Sequence, residues 1–174
     1  MAGLVASNYA KAPVLLTDGE DYIVDVLKKN VSRNNLEEKG TLEFFSLLNG
    51  WRSYALFVCL DSGTKVAAAT LYWGKDEAKY LEQYPAGFEV IMGGDLIYSK
   101  EVVAPLLKCI DALLAKTADS VFFMVYVDRA GTGLGPAFLN AAAEAPYHLT
   151  STVEQLEVKV EEADTYLYQL RRKL

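Results

Sequence analysis

Three apolar segments of this chain end on residues that suit contact with a ligand. The most informative covers residues 91–98 (IMGGDLIY), in which an apolar run leads into Gly-Gly-Asp and then an aromatic residue. Upstream, residues 14–19 (VLLTDG) end on an acid and a glycine, and residues 69–74 (ATLYWG) end on Trp-Gly. Continuous apolar runs are typical of strands that are covered on both faces. The order therefore predicts parallel strands whose carboxyl ends share one edge, where open α/β sheets bind nucleotide-like ligands.

Helical and strand-like segments alternate along the chain. Helical patterns occur at residues 3–10, 21–34, 102–116 and 133–145, and strand-like patterns at residues 54–60, 66–73, 88–92 and 121–127. The charged residues 75–84 are interpreted as a solvated connection. Residues 148–160 and 165–171 alternate apolar and polar side chains around an acidic turn, which indicates an antiparallel hairpin. We therefore expect an α/β fold with a mostly parallel sheet and a C-terminal antiparallel hairpin.

Composition and charge narrow the classes of partner. The chain has 174 residues, of which 52% are hydrophobic, and this is enough for one globular domain over residues 1–174 with a substantial core. Its formal net charge is −6, and a run of three consecutive basic residues lies at 171–173. A phosphate-tracking surface is not expected, which argues against nucleic acid as a partner. A basic protein segment fits better, because acidic clefts attract lysine-rich partners.

Cysteine usage and the first residues indicate the compartment. Cys59 and Cys109 each lie within an apolar run, as expected of small buried side chains in a reducing compartment rather than of a disulfide. The first ten residues are too short to span a membrane and lack the basic start of a secretory signal. We therefore expect a cytoplasmic protein without membrane contact. His148 is the single histidine and has no companions at metal-ligand spacing, so no metal site is expected.

The ordered set of motifs resembles the seven-strand (class I), Rossmann-like methyltransferases, and among them the eukaryotic lysine methyltransferase group called family 16. The resemblance is carried by residues 15–19 with the helix at 26–31, residues 71–74, residues 94–98 with 103–107, and residues 138–142. It covers most of the chain, and the order of the pieces makes it specific. It implies transfer of a methyl group from S-adenosylmethionine to a lysine side chain of a protein substrate. Methylation of another nucleophile, such as histidine or a small molecule, is an open alternative.

The resemblance also implies that one motif is missing. The family's glycine-rich motif on the first strand would lie just upstream of a helix beginning at residues 2–4, where this chain starts. We therefore expect an N-terminally incomplete methyltransferase domain without its first central strand, either a shortened product or one with a misassigned start. Such a chain is expected to bind the cofactor weakly or not at all. The competing hypothesis is a degenerate, non-catalytic methyltransferase fold that acts in protein interaction.

Four residues are candidates for cofactor binding on this resemblance. Asp18 would accept hydrogen bonds from both ribose hydroxyls, or alternatively would cap the helix that begins near Glu20. Gly19 would leave room for the sugar, or would only form a turn. Trp73 would stack on the adenine ring, or would pack as an edge tryptophan. Gly94 would let the ligand approach the backbone closely.

Asp95 and Tyr98 form an Asp-x-x-Tyr pattern that the family is thought to use around the acceptor lysine. Methyl transfer is an in-line displacement, so the amine must arrive neutral with its lone pair aimed at the methyl carbon. A carboxylate and a phenol at the mouth of a cleft can hold that nitrogen and help it to lose a proton. The alternatives are a helix N-cap role for Asp95, at a helix starting near Ser99, and core packing for Tyr98.

Overall fold

The chain divides into two compact units, residues 1–72 and residues 73–174. The computed structural model describes residues 14–33, 56–59 and 66–173. The helix predicted at residues 3–10 lies outside the described residues, and a single domain over the whole chain stays a prediction. No helix within the described ranges is both long and apolar enough to cross a membrane.

The first unit is organised around its first strand. Its elements are β1 (Val14–Asp18), α1 (Asp21–Arg33), β2 (Leu56–Cys59) and β3 (Val66–Thr70). β1 pairs in parallel with β3 and antiparallel with β2. Leu15 and Leu16 on β1 are buried, as the continuous apolar run predicts. Helix α1 follows at once, contacts β1 and β3, and buries Val24 and Val31.

The second unit contains a four-strand arrangement with three helices. Its elements are α2 (Glu77–Gln83), β4 (Val90–Gly94), α3 (Val103–Leu113), β5 (Val121–Val127), α4 (Leu134–Ala143), β6 (Leu149–Val160) and β7 (Ala163–Arg172). The strand order is β4-β5-β7-β6. β4 and β5 run parallel, and β7 runs antiparallel to both β5 and β6.

The α/β class and the C-terminal hairpin are confirmed. The strand predicted at residues 121–127 coincides with β5, and the predicted hairpin agrees with β6 and β7 to within two residues at each end. The strand directions differ in one respect from the expectation of a mostly parallel sheet. Of the ladders whose register is described, two are parallel and three antiparallel, because β2 runs antiparallel beside β1 in addition to the hairpin.

The segment predicted as a solvated connection contains helix α2, and that prediction was wrong. Glu77 and Tyr80 are buried although charged residues surround them in sequence. Residues three apart lie on one face of a helix, and α2 contacts α3. The ring of Tyr84, just after the helix, packs on Phe88 with 5.2 Å between ring centroids. Two buried side chains and one ring contact therefore help to hold the segment on the unit.

Helix α3 and strand β5 each contribute five buried side chains to the second unit. The buried residues of α3 are Leu106, Leu107, Cys109, Ile110 and Leu113. Those of β5 are Val121, Phe122, Met124, Tyr126 and Val127. Each fully buried aliphatic or aromatic side chain contributes about 1.5–3 kcal/mol through removal of apolar surface from water. These two elements therefore contribute a large share of the buried core of the unit.

The side chain of Arg172 ties the last strand to the end of α3. It donates to the carbonyl oxygens of Asp111, Leu114 (2.8 Å) and Ala115 (3.3 Å), and it pairs with the Asp111 carboxylate at 2.7 Å. Carbonyl groups at the end of a helix lack intrahelical partners and carry partial negative charge, so a cation satisfies both needs. The Arg172 side chain is only 13% exposed, which limits screening by solvent.

Replacing Arg172 by Ala is expected to lower the free energy of unfolding by roughly 2–3 kcal/mol, because several charge-assisted hydrogen bonds to partly buried groups are lost. Urea unfolding measures this loss. Arg171→Ala is the matched control, since Arg171 is exposed and donates to the Asp119 carbonyl at 3.1 Å. Its loss should cost less than about 1 kcal/mol. Equal losses for the two variants would contradict the capping role of Arg172.

Candidate functional site

The carboxyl ends of β4 and β5 lie at one edge of the second unit. The two strands run parallel, with Gly94 opposite Val125. Asp95 directly follows β4, and its backbone N–H donates to the Val125 carbonyl at 2.7 Å. The φ angle of Asp95 is 54°, in the left-handed region that Asp tolerates better than most residues with a side chain. Asp95 therefore stands at the strand-end edge where the sequence pattern places it.

The Asp95 carboxylate is contacted by residues at and beyond the end of β5. Oδ2 accepts a hydrogen bond from Nη1 of Arg129, and Oδ1 lies 3.4 Å from the backbone nitrogen of Val127. The Asp95 side chain is 35% exposed, so its carboxylate borders solvent. Ser99 occupies the N-cap position of the short helical turn Lys100–Val102. The contacts of Asp95 thus favour a role at the strand edge over the capping alternative.

Gly94 and Tyr98, on either side of Asp95 in sequence, are both exposed. A Cβ added at Gly94 would meet no described atom within 4 Å. The Tyr98 side chain is 41% exposed, which contradicts the alternative of core packing. Leu96 and Ile97, between them, are buried. The loop therefore presents Gly94, Asp95 and Tyr98 at the surface above two buried apolar side chains.

The turn that carries Trp73 is fixed by residues of α2 and α3. Gly74 has a φ of 81°, its N–H donates to the Glu77 carboxylate, and its carbonyl accepts from Nζ of Lys108 at 2.9 Å. Burial, and then the neighbouring Glu77 carboxylate, raise the pKa of the Cys109 thiol, which stays neutral. Trp73 itself is half-buried.

Asp18 is the last residue of β1 in the first unit, and Gly19 follows it. The Asp18 side chain is buried, and Oδ1 accepts a hydrogen bond from the Glu20 N–H at 2.8 Å. This contact closes a turn just before the first helical residue, Asp21, so it differs from the helix cap that is the alternative role of Asp18. Burial raises the pKa of Asp18 to about 6, although the N–H groups of Glu20 and Gly19 oppose the shift. Asp18 is therefore a carboxylate that ionises close to neutral pH.

The predicted site residues fall into two groups. Trp73, Gly94, Asp95 and Tyr98 belong to the second unit, and Asp18 with Gly19 to the first. Within the second unit, one loop joins Gly94, Asp95 and Tyr98, whereas Trp73 lies on a separate turn. Among the residues that the structure describes, no group of three or more His, Cys, Asp or Glu is arranged to hold a metal ion.

Arg129 is a site residue that sequence reasoning missed. It comes soon after β5, as Asp95 comes after β4, so the search for polar residues after parallel strands could have found it. Its Nε lies 3.8 Å from Oε2 of Glu161, in the turn between β6 and β7. Glu161 and Glu162 have φ angles of 50° and 66°, as a two-residue hairpin turn of type I′ requires. The acidic turn expected from the sequence therefore brings a carboxylate to Arg129.

Asp18→Asn is expected to change how stability depends on pH. Because the pKa of Asp18 is about 6 in the folded chain against its ordinary value of 3.8, the folded state binds more protons than the unfolded state between these values. The stability of the wild type therefore falls as pH rises from about 4 to about 6. An amide has no charge to bury and keeps an oxygen for the Glu20 N–H.

Urea unfolding between pH 4 and pH 7.5 checks this expectation. The variant should gain stability relative to the wild type as pH rises, with most of the gain complete by about pH 7. Asp25→Asn is the matched control, because Asp25 lies on α1 with its side chain 64% exposed. A difference between Asp18→Asn and the wild type that does not vary with pH would contradict the assigned cause.

Gly93→Ala and Gly94→Ala form a matched pair of substitutions. A Cβ at Gly93 would collide with the buried side chain of Leu96, and such overpacking costs about 1–3 kcal/mol. A Cβ at Gly94 faces open space, so that variant should stay within about 0.5 kcal/mol of the wild type. Thermal unfolding of the two variants measures the contrast. Similar destabilisation at both positions would show that the loop does not pack as described.

The part of the chain that holds this loop matches a known protein family. Residues 58–144 match the family model described as lysine methyltransferase. This stretch is half of the chain and includes β4, β5, the loop with Asp95 and Tyr98, and Arg129. No curated protein matches the chain significantly. The match to the family model, on an α/β fold, shows that the chain belongs to the lysine methyltransferase family.

Proposed function

We propose that this chain transfers a methyl group from S-adenosylmethionine to the side-chain nitrogen of a lysine in a protein substrate. The observation that carries the proposal is the partly exposed Asp95 carboxylate after β4, which pairs with a cation, the Arg129 guanidinium. A lysine ammonium has the same charge and can donate the same type of hydrogen bond. Membership of the lysine methyltransferase family supports the choice of Asp95, with Tyr98 beside it in sequence, as the place that receives the acceptor.

The roles of Asp95 and Tyr98 follow from what methyl transfer requires of the acceptor. A lysine ammonium has a pKa near 10.4 in water, and its nitrogen becomes nucleophilic only after losing a proton. Asp95 holds the ammonium by a charge-assisted hydrogen bond, and the Tyr98 hydroxyl orients the nitrogen toward the methyl carbon. The proton leaves to solvent, because both side chains are partly exposed. S-adenosylmethionine, when bound, supplies the electrophilic methyl group on a positively charged sulfur.

Four residues fit the cofactor through the chemistry of their groups. The Asp18 carboxylate accepts hydrogen bonds from the ribose hydroxyls, and these donors favour its ionised form. Gly19 leaves room for the sugar. Trp73, which is half-buried, offers its indole ring for stacking on adenine. Gly94 leaves the backbone open to close approach of the ligand, since no described atom would contact a Cβ there.

The partner in this proposal is a protein segment that presents a lysine among other basic residues. The formal net charge of −6 attracts such a segment and disfavours nucleic acid. A cytoplasmic location is part of the proposal. It is supported by Cys109, a buried free thiol of the kind expected in a reducing compartment.

Asp95→Asn is expected to lower the rate of methyl transfer by about 100-fold, because it removes the charge that holds the acceptor. Tyr98→Phe should lower the rate by about 10-fold, because one orienting hydrogen bond is lost. The measurement uses radiolabelled S-adenosylmethionine with cell lysate as the pool of acceptors. Amino-acid analysis of the labelled protein then separates methyl-lysine from methyl-histidine.

Asp119→Asn is the matched control for loss of a carboxylate, since Asp119 is exposed and precedes β5 at its other end. It should transfer methyl groups at the rate of the wild type. Calorimetric affinity for S-adenosylmethionine, which is expected to be weak in the wild type, should stay within about two-fold of that value in Asp95→Asn and fall by about a further 10-fold in Asp18→Asn. Undiminished transfer by Asp95→Asn would remove it from the reaction, and methyl-histidine as the product would overturn the lysine assignment.

A further inference from the structure

We infer that Arg129 sets the acceptor specificity of this site by occupying the Asp95 carboxylate until a substrate ammonium replaces it. The inference rests on the proposed function, because it takes Asp95 as the residue that receives the acceptor lysine. The Arg129 guanidinium contacts two carboxylates. Its Nη1 donates to Oδ2 of Asp95, and its Nε lies 3.8 Å from Oε2 of Glu161. Arg129 acts through Asp95 and is therefore a positioning residue.

The ion pair between Arg129 and Asp95 is weak enough to be replaced. The side chains of Arg129 and Asp95 are 50% and 35% exposed. Water and salt screen such pairs, and holding a long side chain in one conformation costs rotamer entropy. A second cation can therefore compete with Arg129 for the Asp95 carboxylate. The presence of Arg129 lowers the affinity of Asp95 for that second cation by only a few-fold.

Glu161 gives the displaced guanidinium another partner. Asp95, Glu161 and Arg129 together carry one net negative charge, and an incoming ammonium makes the cluster neutral. A neutral acceptor group does not offset the net negative charge of the three side chains, so the arrangement selects a cationic side chain. The backbone nitrogen of Val127, 3.4 Å from Oδ1, stays beside Asp95 while the cations exchange at Oδ2.

Titration of the full chain with n-butylammonium chloride, a mimic of the lysine side chain, tests the inference. NMR shifts of the backbone amides of Gly94, Asp95 and Tyr98 at low salt report the affinity. Arg129→Gln should bind the amine about two- to five-fold more tightly than the wild type, because the competing cation is gone. Arg129→Lys, which keeps a cation, should return the affinity toward that of the wild type.

The role of Glu161 is tested by a double-mutant cycle. Glu161→Gln should bind n-butylammonium about two- to five-fold more weakly, because Arg129 loses its second partner and remains on Asp95. In the variant that combines Arg129→Gln with Glu161→Gln, this weakening should disappear, since it acts through the guanidinium.

Two controls separate competition from a general effect of charge. Lys159→Gln removes a positive charge from the same hairpin, where Lys159 pairs with Asp164 at 3.2 Å. It should leave the affinity for n-butylammonium within about 1.5-fold of the wild type, because the charge of Lys159 is exposed, screened by solvent and already paired with Asp164. Titration with n-butanol, which is neutral and of similar shape, should shift none of the three amides.

The possible outcomes separate failure of this inference from failure of the proposed function. Amine affinity that is unchanged or weaker in Arg129→Gln overturns the role of Arg129 and leaves the proposed function intact. Additive effects in the double variant, or tighter binding in Lys159→Gln, overturn it in favour of general electrostatic attraction. Absence of amine binding in the wild type and all variants overturns both the inference and the role of Asp95 in the proposed function.

Discussion

The parallel ladder between β4 and β5 is the constraint on which the proposed acceptor site depends. Parallel strands end at the same edge, so the residues that follow them come together although they are far apart in sequence. Here the ladder brings Asp95 to Arg129, 34 positions later. Burial of Phe122 and Met124 on β5 holds the register, because a slip of one residue would exchange the side chains on its two faces.

The antiparallel neighbour of β5 supplies the third member of the charged cluster. Val127 on β5 lies opposite Thr165 on β7, so the start of β7 lies beside the end of β5. The hairpin turn that precedes β7 therefore reaches the same edge and brings Glu161 to Arg129. At the opposite end of β7, Arg172 is fixed to the end of α3. Strand β7 is thus fixed by Arg172 at one end and adjoins the turn that carries Glu161 at the other.

The sequence predicted the positions of the helices and strands better than the contacts between them. Apolar runs identified β5 and the hairpin, because burial leaves a continuous or alternating pattern that can be read locally. Helix α2 was missed because charged neighbours hide Glu77 and Tyr80, and no local signal shows that Glu77 accepts a hydrogen bond from Gly74. The direction of β2 was missed because a short apolar strand has the same pattern in either direction.

In the candidate site, too, residues within one short segment were predicted, whereas contacts between distant segments were not. Asp95 and Tyr98 were proposed because they follow an apolar run and because the Asp-x-x-Tyr pattern resembles that of family 16, and both signals are local in the chain. The pairing of Asp95 with Arg129, and of Arg129 with Glu161, depends on the order of strands in the sheet. The loop was therefore predictable, whereas the cation that contacts it became visible only with the strand order.

Partial exposure of the charged cluster is what permits one cation to replace another. The backbone of the loop is held by the buried Leu96 and Ile97 and by the hydrogen bond from Asp95 to Val125. An incoming ammonium then meets a carboxylate already in position and has to displace only a solvent-screened ion pair. If the pair with Arg129 were fully buried, removing the guanidinium would cost on the order of 3–5 kcal/mol. A rigid backbone with exposed charges therefore suits exchange of cations at Asp95, which a fully buried pair would prevent.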